Sequence, residues 1–203
     1  MKNSLKKALY ALICAILLLA PSNSAQAITT NVTIDDTDGE QLGIFNSLEL
    51  NSSGYPVIAY WEYGDGDLKI AICSDADCAT LPAIKTLDSN TGFGNIYGPV
   101  SLALTSNNYP RISYYAYGTR DLKVAACSNC ITSNSVYTVD SVGDVGKGNA
   151  IALTAAGVPV ISYYDDTNNQ LKVAICGHYT CSSVSAITIV DSFSDIDGDT
   201  SIV

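Results

Sequence analysis

Short runs of alternating or continuous apolar residues recur along this chain, and three of them are near copies. They are Pro56-Val57-Ile58-Ala59-Tyr60-Trp61, Pro110-Arg111-Ile112-Ser113-Tyr114-Tyr115 and Pro159-Val160-Ile161-Ser162-Tyr163-Tyr164. Each copy is followed at one fixed distance by Leu-Lys-Ile/Val-Ala-x-Cys, ending at Cys73, Cys127 and Cys176, so the spacing between copies is 54 and then 49 residues. The period-2 pattern and the β-branched and aromatic content predict strands. Four strand-sized runs fill each copy. In the first they are Ser47–Leu50, Val57–Tyr63, Leu68–Ser74 and Ile84–Asp88. In the second they are Ser101–Leu104, Arg111–Tyr117, Leu122–Ser128 and Val136–Asp140. In the third they are Ala150–Leu153, Val160–Asp165, Leu171–Cys176 and Ala186–Asp191. Turn residues such as Asn51-Ser52-Ser53-Gly54 and Asn168-Asn169 separate the runs, and no helical period follows the first 27 residues.

A repeat of about fifty residues holding four antiparallel strands, innermost first, predicts an all-β β-propeller. The expected blades are residues 47–100, 101–149 and 150–200. Residues 28–46 supply an N-terminal strand and loop, and 201–203 open a fourth blade. The segment Asn31-Val32-Thr33-Ile34-Asp35 resembles the fourth strand Ala186-Ile187-Thr188-Ile189-Val190-Asp191, as if it completed the last blade of a ring. Three blades cannot close a ring, since propellers use four or more. The expectation is therefore an incomplete ring in a fragment of a longer protein. Closure by oligomerisation and a stack that forms no ring are the alternatives.

The first 27 residues read as a leader: Lys2, Lys6 and Lys7, then the apolar run Ala8–Ala20, then the small-x-small site Ala25-Gln26-Ala27. Cleavage there predicts an exported chain, secreted, periplasmic or held at the cell surface, with no membrane span in its mature part. The whole chain carries a formal charge of −10, and losing three leader lysines leaves seven basic against twenty acidic residues, or −13. So acidic a surface repels phosphate backbones and excludes nucleic acid as a partner. Once Cys14 leaves with the leader, six cysteines remain in three local pairs: Cys73/Cys78, Cys127/Cys130 and Cys176/Cys181. Only the gap inside each pair varies between repeats. Cysteines facing each other at the base of a hairpin tip in an exported chain predict disulfides. Zinc is the competing reading of Cys127-x-x-Cys130.

Other residues carry candidate chemistry beside a plainer structural role. Lys69, Lys123 and Lys172 start each third strand and Asp88, Asp140 and Asp191 end each fourth, which reads as a cross-strand ion pair within every blade. Tyrosines crowd the second strands, where neighbouring blades cover both faces. Trp61, Tyr63 and Tyr117 stand near loop ends and are the candidates for a sugar platform. Two acidic loops contain Asp36, Asp38, Asp195, Asp197 and Asp199, spaced with glycine as an oxygen-seeking calcium ion requires. They lack the twelve-residue calcium-loop pattern, and Asp and Gly also favour ordinary turns. His178, alone between Cys176 and Cys181, reads as a turn residue.

The consensus Gly/Asn-x-Pro-x-Ile-Ser/Ala-Tyr-Tyr/Trp, then Leu-Lys-Val/Ile-Ala-x-Cys, resembles repeats of secreted bacterial β-propeller proteins of the broad sialidase-like type. That resemblance implies the fold and leaves the activity open, because propellers host binding and catalysis alike. Sialidases combine three arginines, a tyrosine nucleophile and acids, and carry a Ser-x-Asp-x-Gly-x-Thr-Trp box. This chain has Arg111 and Arg120 and lacks the box. The leading expectation is a non-catalytic exported module binding a glycan, an extracellular protein or another cell-surface partner, with calcium as the candidate cofactor. The alternatives are a sialidase-like glycoside hydrolase fragment and a structural cell-envelope repeat protein.

Overall fold

The computed structural model describes residues 33–35, 42–62, 65–89 and 98–192. Among them are twelve strands and no helix. The strands form three four-stranded antiparallel sheets, each in simple sequence order, and the sheets do not close on themselves. The first sheet holds β1 (Leu42–Leu50), β2 (Pro56–Glu62), β3 (Asp67–Ile72) and β4 (Ala83–Asp88). The second holds β5 (Ser101–Leu104), β6 (Pro110–Ala116), β7 (Asp121–Asn129) and β8 (Ser133–Asp140). The third holds β9 (Val145–Leu153), β10 (Pro159–Asp165), β11 (Gln170–Cys176) and β12 (Val184–Ser192). This is the arrangement expected of incomplete propeller blades.

The consensus Gly/Asn-x-Pro now has a local cause. The first and second strands of each sheet are joined by the turns Asn51–Gly54, Thr105–Asn108 and Thr154–Gly157, whose last N–H donates to the first carbonyl at 2.8 Å in all three. That last residue sits at positive φ, +78° at Gly54, +61° at Asn108 and +74° at Gly157. Glycine and asparagine tolerate this conformation best. The side chain opening the turn then accepts the N–H just before the proline: Tyr55 to Asn51, Tyr109 to Thr105 and Val158 to Thr154, at 3.0–3.1 Å. Proline follows as the first strand residue, where its missing N–H interrupts least.

The second strands are apolar almost throughout because both their faces are covered. Every residue of β6 is buried. One core lies between the first and second sheets, around Trp61, Leu68, Ile70, Leu87, Leu102, Ile112 and Tyr114. Another lies between the second and third, around Leu122, Val124, Val139, Val145, Ile151, Ile161 and Tyr163. Covering each such side chain contributes about 1.5–3 kcal/mol, which makes sheet-on-sheet contact the main stabilising element. The inner strands β1, β5 and β9 stand side by side. The hydroxyl of Ser47 accepts the Leu102 N–H at 3.1 Å, and that of Ser101 accepts the Ile151 N–H at 3.0 Å.

Of the expected N-terminal strand, Asn31 and Val32 lie outside the described residues. Its tail, Thr33–Asp35, is not a strand. No described helix is long and apolar enough to cross a membrane.

Candidate functional site

The residues that most resemble catalytic groups are engaged in joints between sheets. The Tyr114 hydroxyl donates to Asp88 at 2.6 Å, and the Lys123 ammonium stands 3.6 Å from the same carboxylate. One repeat later Tyr163 donates to Asp140 at 2.7 Å with Lys172 at 3.7 Å. In the first sheet Tyr60 donates to Asp35 at 2.7 Å with Lys69 at 3.6 Å. The lysine-aspartate pairing within one blade is thereby corrected. Asp88 and Asp140 each serve the tyrosine and lysine of the following sheet, and Asp35 fills the corresponding place for the first.

Register explains the difference. Leu68 lies opposite Asp88 while Lys69 lies opposite Thr86, with a shift between the two pairs. Directly opposed residues share a face of the sheet. Asp88 therefore faces the second sheet with Leu68, and Lys69 points the other way, alongside its opposite number Tyr60. Two further acids strengthen the lysine contacts: Glu62 lies 2.8 Å from Lys69, and Asp165 lies 2.5 Å from Lys172.

Protonation follows from this geometry. Burial, with the adjacent aspartate, pushes the pKa values of Tyr60, Tyr114 and Tyr163 far above the ordinary phenol value. Burial lowers the pKa of Lys69, but its carboxylate partners outweigh that and raise it. Burial likewise works against the charge on Asp165, and bonds from Asn168 and Lys172 overcome it and hold the pKa low. These shifts keep the phenols neutral and the Lys69 ammonium charged at neutral pH, so the groups hold the sheets together through hydrogen bonds and ion pairs.

The expected binding residues are dispersed. Trp61 is 2 % exposed, set edge-on against Tyr114 in the first core, and its buried N–H has no acceptor among the described residues. Tyr117 is exposed at the end of the second hairpin and packs edge-on against Tyr115. Tyr63 and the calcium candidates Asp36, Asp38, Asp195, Asp197 and Asp199 lie outside the described residues. Among the described residues, no group of three His, Cys, Asp or Glu is placed to hold a metal ion. The acidic turn Asp165-Asp166 serves lysines of its own sheet, with Asp166 bonded to Lys147 at 2.7 Å. The cysteines form the disulfides Cys73–Cys78, Cys127–Cys130 and Cys176–Cys181, each within one sheet's outer hairpin. These bonds point to an oxidising environment.

A different place gathers exposed recognition chemistry. Arg111 stands where the other two repeats have Val57 and Val160. It is 2 % exposed, and its Nε donates to the Tyr179 carbonyl at 2.6 Å. Its Nη1 donates to the carbonyls of Pro110 at 2.7 Å and Cys127 at 3.1 Å. The guanidinium lies 5.9 Å from the Tyr179 ring centre. Burial draws its pKa down, and the carbonyl dipoles hold the charge in place. Arg111 thus bolts the tip of the third sheet's outer hairpin to the second sheet.

On one side of this bolt is a groove of about 620 Å³ between the turns 105–107 and 153–157. On the other is a depression of about 280 Å³ reaching Ser133–Ser135. Tyr109, Arg111 and Tyr179 line both, and among the described residues no carboxylate lines either. Tyr109 and Tyr179 are exposed, and the His178 ring lies 3.9 Å from that of Tyr179. The sequence carried one signal for this site, an arginine at an otherwise valine position. The approach of Tyr179 from the next repeat had none.

No protein-family model matches this chain, and no curated protein matches it in sequence. Among solved structures it is similar to an exo-β-1,3-galactanase from Clostridium thermocellum, at 17 % identity and a TM-score of 0.44. The likeness covers 71 % of this chain and 34 % of that one, so this chain spans about a third of the other's length.

Proposed function

We propose that this protein is an exported, non-catalytic binding module. In this reading residues 1–27 direct export and the repeats present the Tyr109–Tyr179 groove to an extracellular glycan. The observation that carries it is a groove lined by two exposed tyrosines from different repeats together with a buried, fixed guanidinium. Aromatic faces take the apolar faces of sugar rings, and phenol hydroxyls take their hydroxyl groups. Hydrolysis of a glycosidic bond ordinarily requires two carboxyl groups flanking it. Among the described residues the groove offers none, and the buried Tyr60, Tyr114 and Tyr163 are bonded to Asp35, Asp88 and Asp140.

The test is binding of the purified protein to a panel of soluble polysaccharides, with and without calcium because of the acidic loops at Asp36–Asp38 and Asp195–Asp199. Tyr179→Ala and Tyr109→Ala each lower affinity at least tenfold, while Tyr117→Ala leaves it unchanged. Binding that survives both groove substitutions, or no binding to any member of the panel, refutes this assignment.

A further inference from the structure

Each observed joint between sheets has two halves. The leading half is a fourth-strand aspartate with the apolar residue before it and the facing residues of the third strand. The receiving half is the Tyr–Lys pair with an apolar inner-strand residue. Leu87 and Val139, which precede Asp88 and Asp140, are 5 % and 6 % exposed because the next sheet covers them. Val190, which precedes Asp191, is 56 % exposed. Leu68 and Leu122 are fully buried, yet their equivalent Leu171 is only half-buried. Asp191 lies opposite Leu171, as Asp88 does Leu68 and Asp140 does Leu122. Its carboxylate accepts the N–H of Ser192 and meets no Tyr–Lys pair among the described residues.

At the other end the apolar part of the receiving half is bare, while its Tyr60–Lys69 pair is held by Asp35 of the same chain. Leu102 and Ile151 are 3 % and 6 % exposed beneath the preceding sheet, whereas their equivalent Leu48 is 52 % exposed. Ile58 is half-buried where Ile112 and Ile161 are fully buried. The third sheet therefore bares one half of a joint that this molecule forms twice, and the first sheet bares the apolar part of the other.

We propose that these halves meet between copies of the chain. The outer face of the third sheet docks head-to-tail on the first sheet of a second copy, and Asp191 takes that copy's Tyr60 hydroxyl and Lys69 ammonium. Continuity with the two formed joints and the charge match of aspartate with lysine single out a second copy as the occupant. Asp35 holds Tyr60 and Lys69 within each chain. It is the competitor that docking displaces, and the likeness of residues 31–35 to 186–191 is the sequence trace of two segments made for one socket. Such a contact is heterologous, so it extends into open chains unless its rotation closes.

Sedimentation velocity of the purified protein across a concentration series tests this. The wild type associates with rising concentration. Val190→Asp destroys the leading half, Leu48→Asp the receiving half, and each variant alone stays monomeric. Their equimolar mixture forms dimers and nothing larger, through the one intact half on each partner. Asp35→Asn weakens the competitor and lowers the half-association concentration roughly tenfold, the worth of one charge-assisted hydrogen bond. Both aspartate substitutions sit at exposed positions, and unchanged Trp61 fluorescence reports that the fold is intact. Asp191→Asn, which alters no bulk, weakens association in the same sense. A wild type and an Asp35→Asn variant that both remain monomeric at every concentration overturn the proposal. So does a mixture that stays monomeric, or association that persists in Val190→Asp.

Discussion

Asp88, the last residue of one sheet's outermost strand, accepts the hydroxyl proton of Tyr114 from the middle of the next sheet at 2.6 Å. The contact joins two sheets that share no backbone ladder, and it recurs between Asp140 and Tyr163. A neutral phenol on a carboxylate is a strong bond of its kind, worth about 1–3 kcal/mol when the acceptor is charged. Tyr114→Phe and Asp88→Asn are each expected to lower unfolding free energy by about that amount. The double variant should lose less than the sum, with a coupling of about 0.5–3 kcal/mol by urea denaturation. Asp191→Asn, measured at a concentration where the chain is monomeric, should leave stability unchanged.

High pH attacks these joints. The folded pKa values of Tyr60, Tyr114, Tyr115 and Tyr163 are raised by burial and by their aspartate partners. A raised folded value means the stabilisation is complete below the unfolded phenol value and is lost as pH climbs above it. Melting temperature should hold up to about pH 10 and fall beyond it. Phenolate absorbance of these four tyrosines should appear only together with loss of the sheet signal in circular dichroism. Smooth ionisation in a protein that stays folded contradicts the burial assigned to them.

Acid acts through Asp165, whose side chain is fully buried against Lys172 and receives both the backbone and side-chain N–H groups of Asn168. Its folded pKa is depressed. The stabilisation is therefore present above the unfolded carboxyl value, about 3.9, and disappears as pH falls through the folded one. Asp165→Asn should lower the melting temperature at neutral pH and flatten its decline in acid. Parallel pH profiles for wild type and variant would exclude Asp165 as the group responsible.

Gly146 lies in β9 at φ +109°, where an added Cβ would stand 2.8 Å from Leu122 Cα and 3.1 Å from its nitrogen. The neighbour is backbone and cannot swing aside as a side chain does. Gly146→Ala combines that clash with an unfavourable φ, so it should cost about 1–3 kcal/mol. The midpoint in urea should shift with an unchanged slope. A variant as stable as the wild type would mean the second and third sheets sit farther apart at this point.

Much of this architecture was legible along the chain because its causes are local. Strand pattern, turn chemistry and cysteine spacing each depend on residues within a few positions of one another, as the Gly54, Asn108 and Gly157 turns illustrate. The binding residues were not legible in the same way. Trp61 looked like a platform at a loop end, but parity places it opposite Leu68, on the face the second sheet covers. Tyr109 and Tyr179 belong to different repeats, and only the packing of two sheets brings them to one groove.

The repeat by itself pointed to three sheets of four antiparallel strands, to the turns ending at Gly54, Asn108 and Gly157, and to cysteines paired within each outer hairpin. All of these are short-range consequences of alternation, glycine and asparagine tolerance, and loop length. Tertiary structure alone decided what the charged residues do. Lys69 and Asp88 begin and end adjoining strands, yet one shift in register turns them to opposite faces. A carboxylate's partner is then set by whichever sheet covers that face. That is a long-range choice, which no local pattern encodes.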